Sequence, residues 1–268
     1  MTEFSPNAVR LIFFLFFLIL FGSLEKLFPR RAPHGKIKDR WPGNFLVVFT
    51  DSLLLKMIFP IGATGMALWL QHAEIGLLNL LPVPEWLNCI ITILALDLVI
   101  YWQHRLFHRN HILWKLHRMH HTDIDLDVSS ALRFHPLEIC ISFLIKIAFI
   151  TALGSHIEGV LVFEIILSST ALFNHANMSI PRPIDQILRY FIVTPDMHRT
   201  HHTTRKEEQN SNFGFNLPWW DFLFKSYRNQ SLEDPSTVVL GTKNFRSPKD
   251  HRFVSLLIQP FVNKTRKD

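Results

Sequence analysis

Five long apolar runs constrain this 268-residue chain most: Leu11 to Leu24, Phe45 to Ala73, Trp86 to Tyr101, Leu137 to Leu153 and Val160 to Phe173. Helices of such composition belong in a bilayer, so the fold expected is all-α and integral to a membrane. About four to five transmembrane or membrane-embedded helices are expected. Hydrophobic residues make up 48% of the chain, 24 of them Phe, and the mean hydropathy of +0.16 is hard to reconcile with a compact soluble domain.

Charge gives the orientation. Leu11 to Leu24 is uncharged between Arg10 and Glu25, about 21 Å of helix against a hydrocarbon core of about 30 Å. It therefore spans only if Arg10 and Lys26 extend to the interfaces. It has no strong basic region before it and no small-residue cleavage site, and reads as a retained anchor. Lys26 to Arg40 carries six Lys and Arg, which marks a cytoplasmic loop, whereas Gln71 to Glu85 carries none. Phe45 to Ala73, interrupted by Asp51, Lys56 and Pro60, is one long tilted helix or two partial ones. The chain after Asn174 is polar and broken by Pro181, Pro183, Pro195 and Pro218, the pattern of a cytoplasmic cap. Three regions follow: anchor helices and basic loop over 1–85, a catalytic domain over 86–230, and a cytoplasmic tail over 231–268. The net charge of +6 suits an anionic membrane surface, and no basic, aromatic-interleaved face for nucleic acid is present. Cys89 and Cys140 lie in apolar stretches and read as inert.

The chemistry is in the histidines. His104 and His108 stand four apart at the end of an apolar run; His117, His120 and His121 follow, and His198, His201 and His202 repeat that spacing. At 100° per residue, positions three and four apart share a helix face. Eight imidazoles exceed the six positions of one first-row metal, so two metals are the economical reading. Imidazole suits iron, zinc, copper or nickel alike, but an anchored helical bundle favours lipid oxidation by dioxygen at two irons.

The runs HRLFH, HRMHH and HRTHH, with RFHPLE around His135, FNHANM around His175 and NFGFNLPWWDFLF from Asn212, resemble the fatty acid hydroxylase and sterol desaturase superfamily of membrane di-iron oxygenases. The resemblance covers roughly Asp97 to Tyr227. Acyl-CoA desaturases use similar boxes but separate the first two by far more than the eight residues between His108 and His117. The resemblance implies hydroxylation or desaturation of a lipid C–H bond, whether sterol, fatty acyl or ether lipid. It implies dioxygen as cosubstrate and electrons from an external donor, since the chain has no G-x-G-x-x-G or C-x-x-C. A ferredoxin, cytochrome or reductase would serve as redox partner. The membrane would be the bacterial inner membrane or the endoplasmic reticulum, with the histidines on the cytoplasmic side.

The resemblance also suggests His175 and His135 as further ligands. Some relatives carry a histidine pair four apart near His175; Ala171 and Ser179 stand at those offsets here, which leaves a place for His135. Asp97, two turns before His104, is expected to accept a ligand ring N–H. Tyr101, Asn174, Asn177, Asp196 and Asp221 are candidates for similar support, with Asp196 alternatively a helix N-cap. Glu164, three turns before His175, serves the metal, a polar group of the substrate, or Lys146. His34, His72, His111, His156 and His251 lack cluster spacing and are expected at the surface or interface. Two other readings use the same histidines: a membrane transporter of metal ions, and a catalytically silent metal-binding scaffold.

Overall fold

The computed structural model describes residues 4–262. Among them there is no strand; the regular elements are helical, with two isolated bridges, Pro29 to Met178 and Thr203 to Leu240. The long helices are α1 (Pro6–Leu27), α2 (Ile37–Ile58), α3 (Gly62–His72), α4 (Glu85–Arg109), α5 (His111–His121), α6 (Pro136–Leu153) and α7 (Ile157–His175). Five spans are long and apolar enough to cross a membrane: α1, the stretch Ile37–Asn79 that contains α2 and α3, α4, α6 and α7.

Helix α1 begins where Ser5 caps it, its side chain accepting the Ala8 N–H at 3.3 Å, and Pro6 starts the first turn. Arg10 pairs with Glu164 of α7 at 3.2 Å, because α7 packs along α1 and supplies a buried carboxylate. The stretch from Phe45 to Ala73 resolves into two helices. Pro60 has no N–H to continue α2, and Gly62 takes a left-handed φ of 64° at the start of α3.

Helices α6 and α7 are joined by a short turn as expected, but they pack on α3 and α4 more than on each other, so the hairpin is splayed. Gly154 closes α6 at φ 70°, and a Cβ there would stand 2.9 Å from the Ile75 carbonyl, so only glycine fits. The apolar core lies between α3, α4, α6 and α7, with Leu96, Ile150, Val160 and Phe163 fully or almost fully buried.

At the other end of these helices the chain ties its loops down with charge. The buried Arg40 of α2 bonds Asp123 at 2.5 and 2.9 Å and Asp127 at 2.8 Å; Arg133 donates to the Met119 carbonyl at 2.9 Å. Burial alone would raise the Asp123 pKa, but the Arg40 and Arg133 guanidiniums hold it well below the usual carboxylate range. This network fixes the residues that follow α5. The C-terminal segment covers the same loop. Leu256 of α12 (Phe253–Ile258) packs on Val47 and Met119, and Gln259 Oε1 accepts from the Thr122 hydroxyl at 2.9 Å. His251 is 1% exposed, not superficial as its isolated spacing suggested, because Arg133 reaches its Nδ1 at 2.9 Å.

Candidate metal centre

The histidine clusters come together at the C-terminal ends of α4 and α7, along α5, and in the short helix α9 (Pro195–His201). Asn110 ends α4 and begins α5, its side chain accepting the N–H of Ile112 and Leu113 at 2.9 and 3.1 Å. That turn folds His117 and His121 back onto His104 and His108.

Two groups result. His104, His108, His117, His121 and His201 form one; His120, His175, His198 and His202 form the other, the ligand atoms of each lying within 4.8 Å of one another. The division follows helix geometry. Each i, i+4 pair stays together, whereas His120 and His201 each stand beside a histidine of the other group, one residue and about 100° away. All but His108 are buried.

The hydrogen bonds fix four tautomers. His104 Nδ1 meets the Phe213 carbonyl at 2.8 Å, His201 Nδ1 the Ser211 carbonyl at 2.7 Å, and His175 Nδ1 the Ala171 carbonyl at 2.8 Å. His117 Nδ1 meets Glu138 Oε1 at 2.6 Å. A carbonyl or carboxylate has no proton to give, so each Nδ1 donates and each Nε2 keeps a free lone pair. In the first group, Nε2 of His104, His108, His117 and His201 and both ring nitrogens of His121 are buried without a hydrogen-bond partner. In the second, His175 Nε2 lies 3.1 Å from His120 Nε2 and 3.2 Å from His198 Nε2, which is 3.1 Å from His202 Nε2.

Such convergence suits a cation. Imidazole nitrogens about 2.0–2.1 Å from one ion stand about 3 Å apart. The residues present therefore fit a metal in each group. Burial first, and then the neighbouring histidines, hold the imidazoles of His120, His121, His198 and His202 far below the ordinary histidine pKa, and His201 falls to about 3. Neutral imidazole is the ligating form.

The other candidate residues lie further out. His135 is not among either group. It caps α6, accepting the Leu137 N–H at 3.2 Å, and its Nε2 meets the Leu257 carbonyl at 3.1 Å, so both nitrogens are engaged. Asp97 meets no ligand ring; its Oδ2 accepts from the Trp220 indole at 2.8 Å and the Leu217 N–H at 3.3 Å. Asp221 acts one step removed: it accepts the N–H of Phe213 and Gly214 at 2.8 and 2.7 Å, holding the loop whose carbonyl meets His104. The Tyr101 hydroxyl joins Ser226, which also bonds Asp221. Asn174 Nδ2 donates to the Phe215 carbonyl at 3.1 Å, and Asn177 binds Glu25 and the Arg31 carbonyl. Asp196 pairs with Arg30 and Arg199; Thr194, not Asp196, is the N-cap of α9. Glu164 pairs with Lys146 and Arg10, away from both groups.

Sequence reasoning missed Glu138. Its signal was present in RFHPLE: a proline opening a helix places a glutamate two residues on in the first turn, facing the same end as the histidine groups.

This arrangement defines an all-helical protein with membrane-length apolar helices and two histidine groups that could each hold a metal ion. The comparison with known families agrees, for the Fatty acid hydroxylase profile matches residues 89–226. The chain belongs to that family. It is 27% identical over 186 residues to ornithine lipid hydroxylase OlsE of Rhizobium tropici, covering 69% of this chain and 54% of that protein. Alkylglycerol monooxygenase of Xenopus tropicalis is 28% identical over 149 residues, 51% of this chain and 30% of the relative. The very-long-chain aldehyde decarbonylase GL1-7 of Oryza sativa subsp. japonica is 26% identical over 193 residues, 67% and 30% respectively. The chain thus spans about half of the first relative and under a third of the others. No solved structure matches.

Proposed function

We propose that the chain is a lipid oxygenase that hydroxylates or desaturates an unactivated C–H bond, with an iron ion in each histidine group. The observation that carries this reading is the pair of adjacent groups, five and four histidines, buried at the end of membrane helices. Relatives named as a lipid hydroxylase and a monooxygenase support it. Two irons, when bound, supply activation of dioxygen.

The chain's own part is to hold and shield. His104, His108, His117, His121 and His201 would take one ion, and His120, His175, His198 and His202 the other. Glu138 and the Phe213, Ser211 and Ala171 carbonyls fix the rings that point inward. The phenyl groups of Phe134, Phe213 and Phe215 pack on His120, His104 and His198, lining the site with apolar surface that excludes water.

Electrons would come from a separate donor. An open cavity of about 880 Å³ reaches His108, the partly buried member of the groups, and is lined by Arg109, Arg118, Arg205, Lys206 and Lys243 against Glu207 and Glu233, so cations prevail. Its positive surface suits an acidic carrier. Elemental analysis and dioxygen-dependent oxidation of a lipid extract with added reductant test the reading. Two irons per chain with turnover are expected; two zincs without turnover overturn it in favour of a scaffold or transporter.

A further inference from the structure

Three helices share one level at the histidine end. Glu25 closes the uncharged run of α1, and its Oε2 accepts the N–H of Val128 and Asn177, both at 3.1 Å. His104 of α4 and His175 of α7 belong to the two histidine groups. Hydrocarbon begins on the Leu24 side of that level, because α1 carries no charge from Leu11 to Leu24. Asp97 lies seven residues back along α4, about 10 Å, and Thr170 five residues back along α7, about 8 Å.

The loop after Phe213 descends to both. Asn216 Oδ1 accepts from the Thr170 hydroxyl, and Leu217 N–H and the Trp220 indole donate to Asp97. Phe224 stacks on Tyr101 and Trp102 with ring centres 5.4 and 4.8 Å apart. This segment, with the short helix α11 (Trp219–Leu223), therefore sits beside the apolar part of α4, deeper than the histidines. Helix α8 (Arg182–Leu188) leads into Tyr190, whose carbonyl accepts from the Trp219 indole at 2.7 Å.

The outward surface is mostly apolar, with the exposed Lys225 at its edge: Tyr190, Phe191, Trp219, Phe222 and Leu223 are 65, 63, 44, 39 and 65% exposed. Several of its backbone donors are met within the segment, in the direction lipid contact requires. Phe222 and Phe224 donate to the Pro218 and Trp220 carbonyls, and Ser226 and Tyr227 to Asp221.

We propose that Tyr190–Phe191 and Trp219–Leu223 form a re-entrant wedge inserted into the lipid leaflet, its apolar face covered by acyl chains. The cap over the histidines is thus membrane-embedded on this side, not wholly aqueous. The wedge brings lipid to the outer side of the segment whose buried Phe213 and Phe215 pack edge-on against His104 and His198. It holds whether or not the protein oxidises lipid.

The test places a nitroxide at Leu223→Cys, with Cys89 and Cys140 replaced by alanine, in phosphatidylcholine vesicles. Power saturation compares collision with oxygen and with a water-soluble nickel chelate. Oxygen should dominate several-fold at Leu223, as at Ile19→Cys on α1, while the chelate should dominate at Leu232→Cys, in an exposed loop on the polar side. Chelate access at Leu223 equal to that at Leu232 would overturn the wedge, and so would protection from both reagents, which would mean a second copy of the chain covers it. Phe191→Cys repeats the measurement at an independent site, and since both side chains are exposed their replacement leaves no buried void.

Discussion

Glu138 Oε1 and His117 Nδ1 are 2.6 Å apart, with the two side chains 5% and 3% exposed. A buried carboxylate against a ligand imidazole fixes ring orientation and tautomer and increases its basicity. Replacing Glu138 with alanine is expected to weaken metal retention about 10- to 100-fold, while glutamine, which keeps an acceptor oxygen, should fall between. Competition with a chelator measures both.

The partition of ligands predicts stoichiometry. His104→Ala and His175→Ala strike different groups, so each should lose one ion and the double variant both. Elemental analysis on protein that still inserts into membranes decides this. Loss of both ions from either single variant would argue against two separate groups. His120→Ala should likewise abolish activity and lower bound metal.

Asp221 holds two backbone N–H groups with two oxygens, and asparagine offers only one acceptor. Asp221→Asn should cost about 1–3 kcal/mol of stability from the donor left unmet. The Phe213 carbonyl would then hold His104 less firmly, so metal affinity should fall with the melting temperature.

Acid should destabilise the metal-free protein. Burial and the Arg133 cation lower the His251 pKa to about 4 from the ordinary 6.5. The unfolded chain then binds the proton first, so stability is unaffected by this group above pH 6.5 and declines as pH falls toward 4, by roughly 3 kcal/mol in all. His251→Asn should remove that part of the slope. The difference between the two melting curves against pH isolates it from the buried ligand histidines, which push in the same direction.

If the cavity at His108 receives an acidic carrier, raising ionic strength should slow turnover supported by that carrier. Lys206→Glu and Lys243→Glu should raise the KM for the carrier protein and leave turnover with a small uncharged reductant unchanged.

Much of the centre was legible. The i, i+4 spacings located eight ligand candidates, and the polar end of an apolar run located His175, because helix geometry is local. Asp97 was misread for the opposite reason: its face was right, but its partner is Trp220, brought in from more than a hundred residues away. His135 sits in an informative motif, yet the proline after it makes it a helix cap and leaves the ligand contact to Glu138. The three carbonyls that orient His104, His175 and His201 are backbone atoms, and no residue type announces them. Arg40, Asp123 and Arg133 went unnoticed because a buried ion network depends on which loops meet.

Asn110 serves two helices at once, as the C-cap of α4 and the N-cap of α5. Such a junction has no slack, and it works as a ruler. One residue added between His108 and His117 would turn the second cluster by about 100° and shift it by about 1.5 Å. His120 would then face where His121 now points, and the two histidine groups would lose their separate membership. The spacing of the first two histidine runs is thus set by two helices and the cap they share, and it cannot be lengthened like a surface loop.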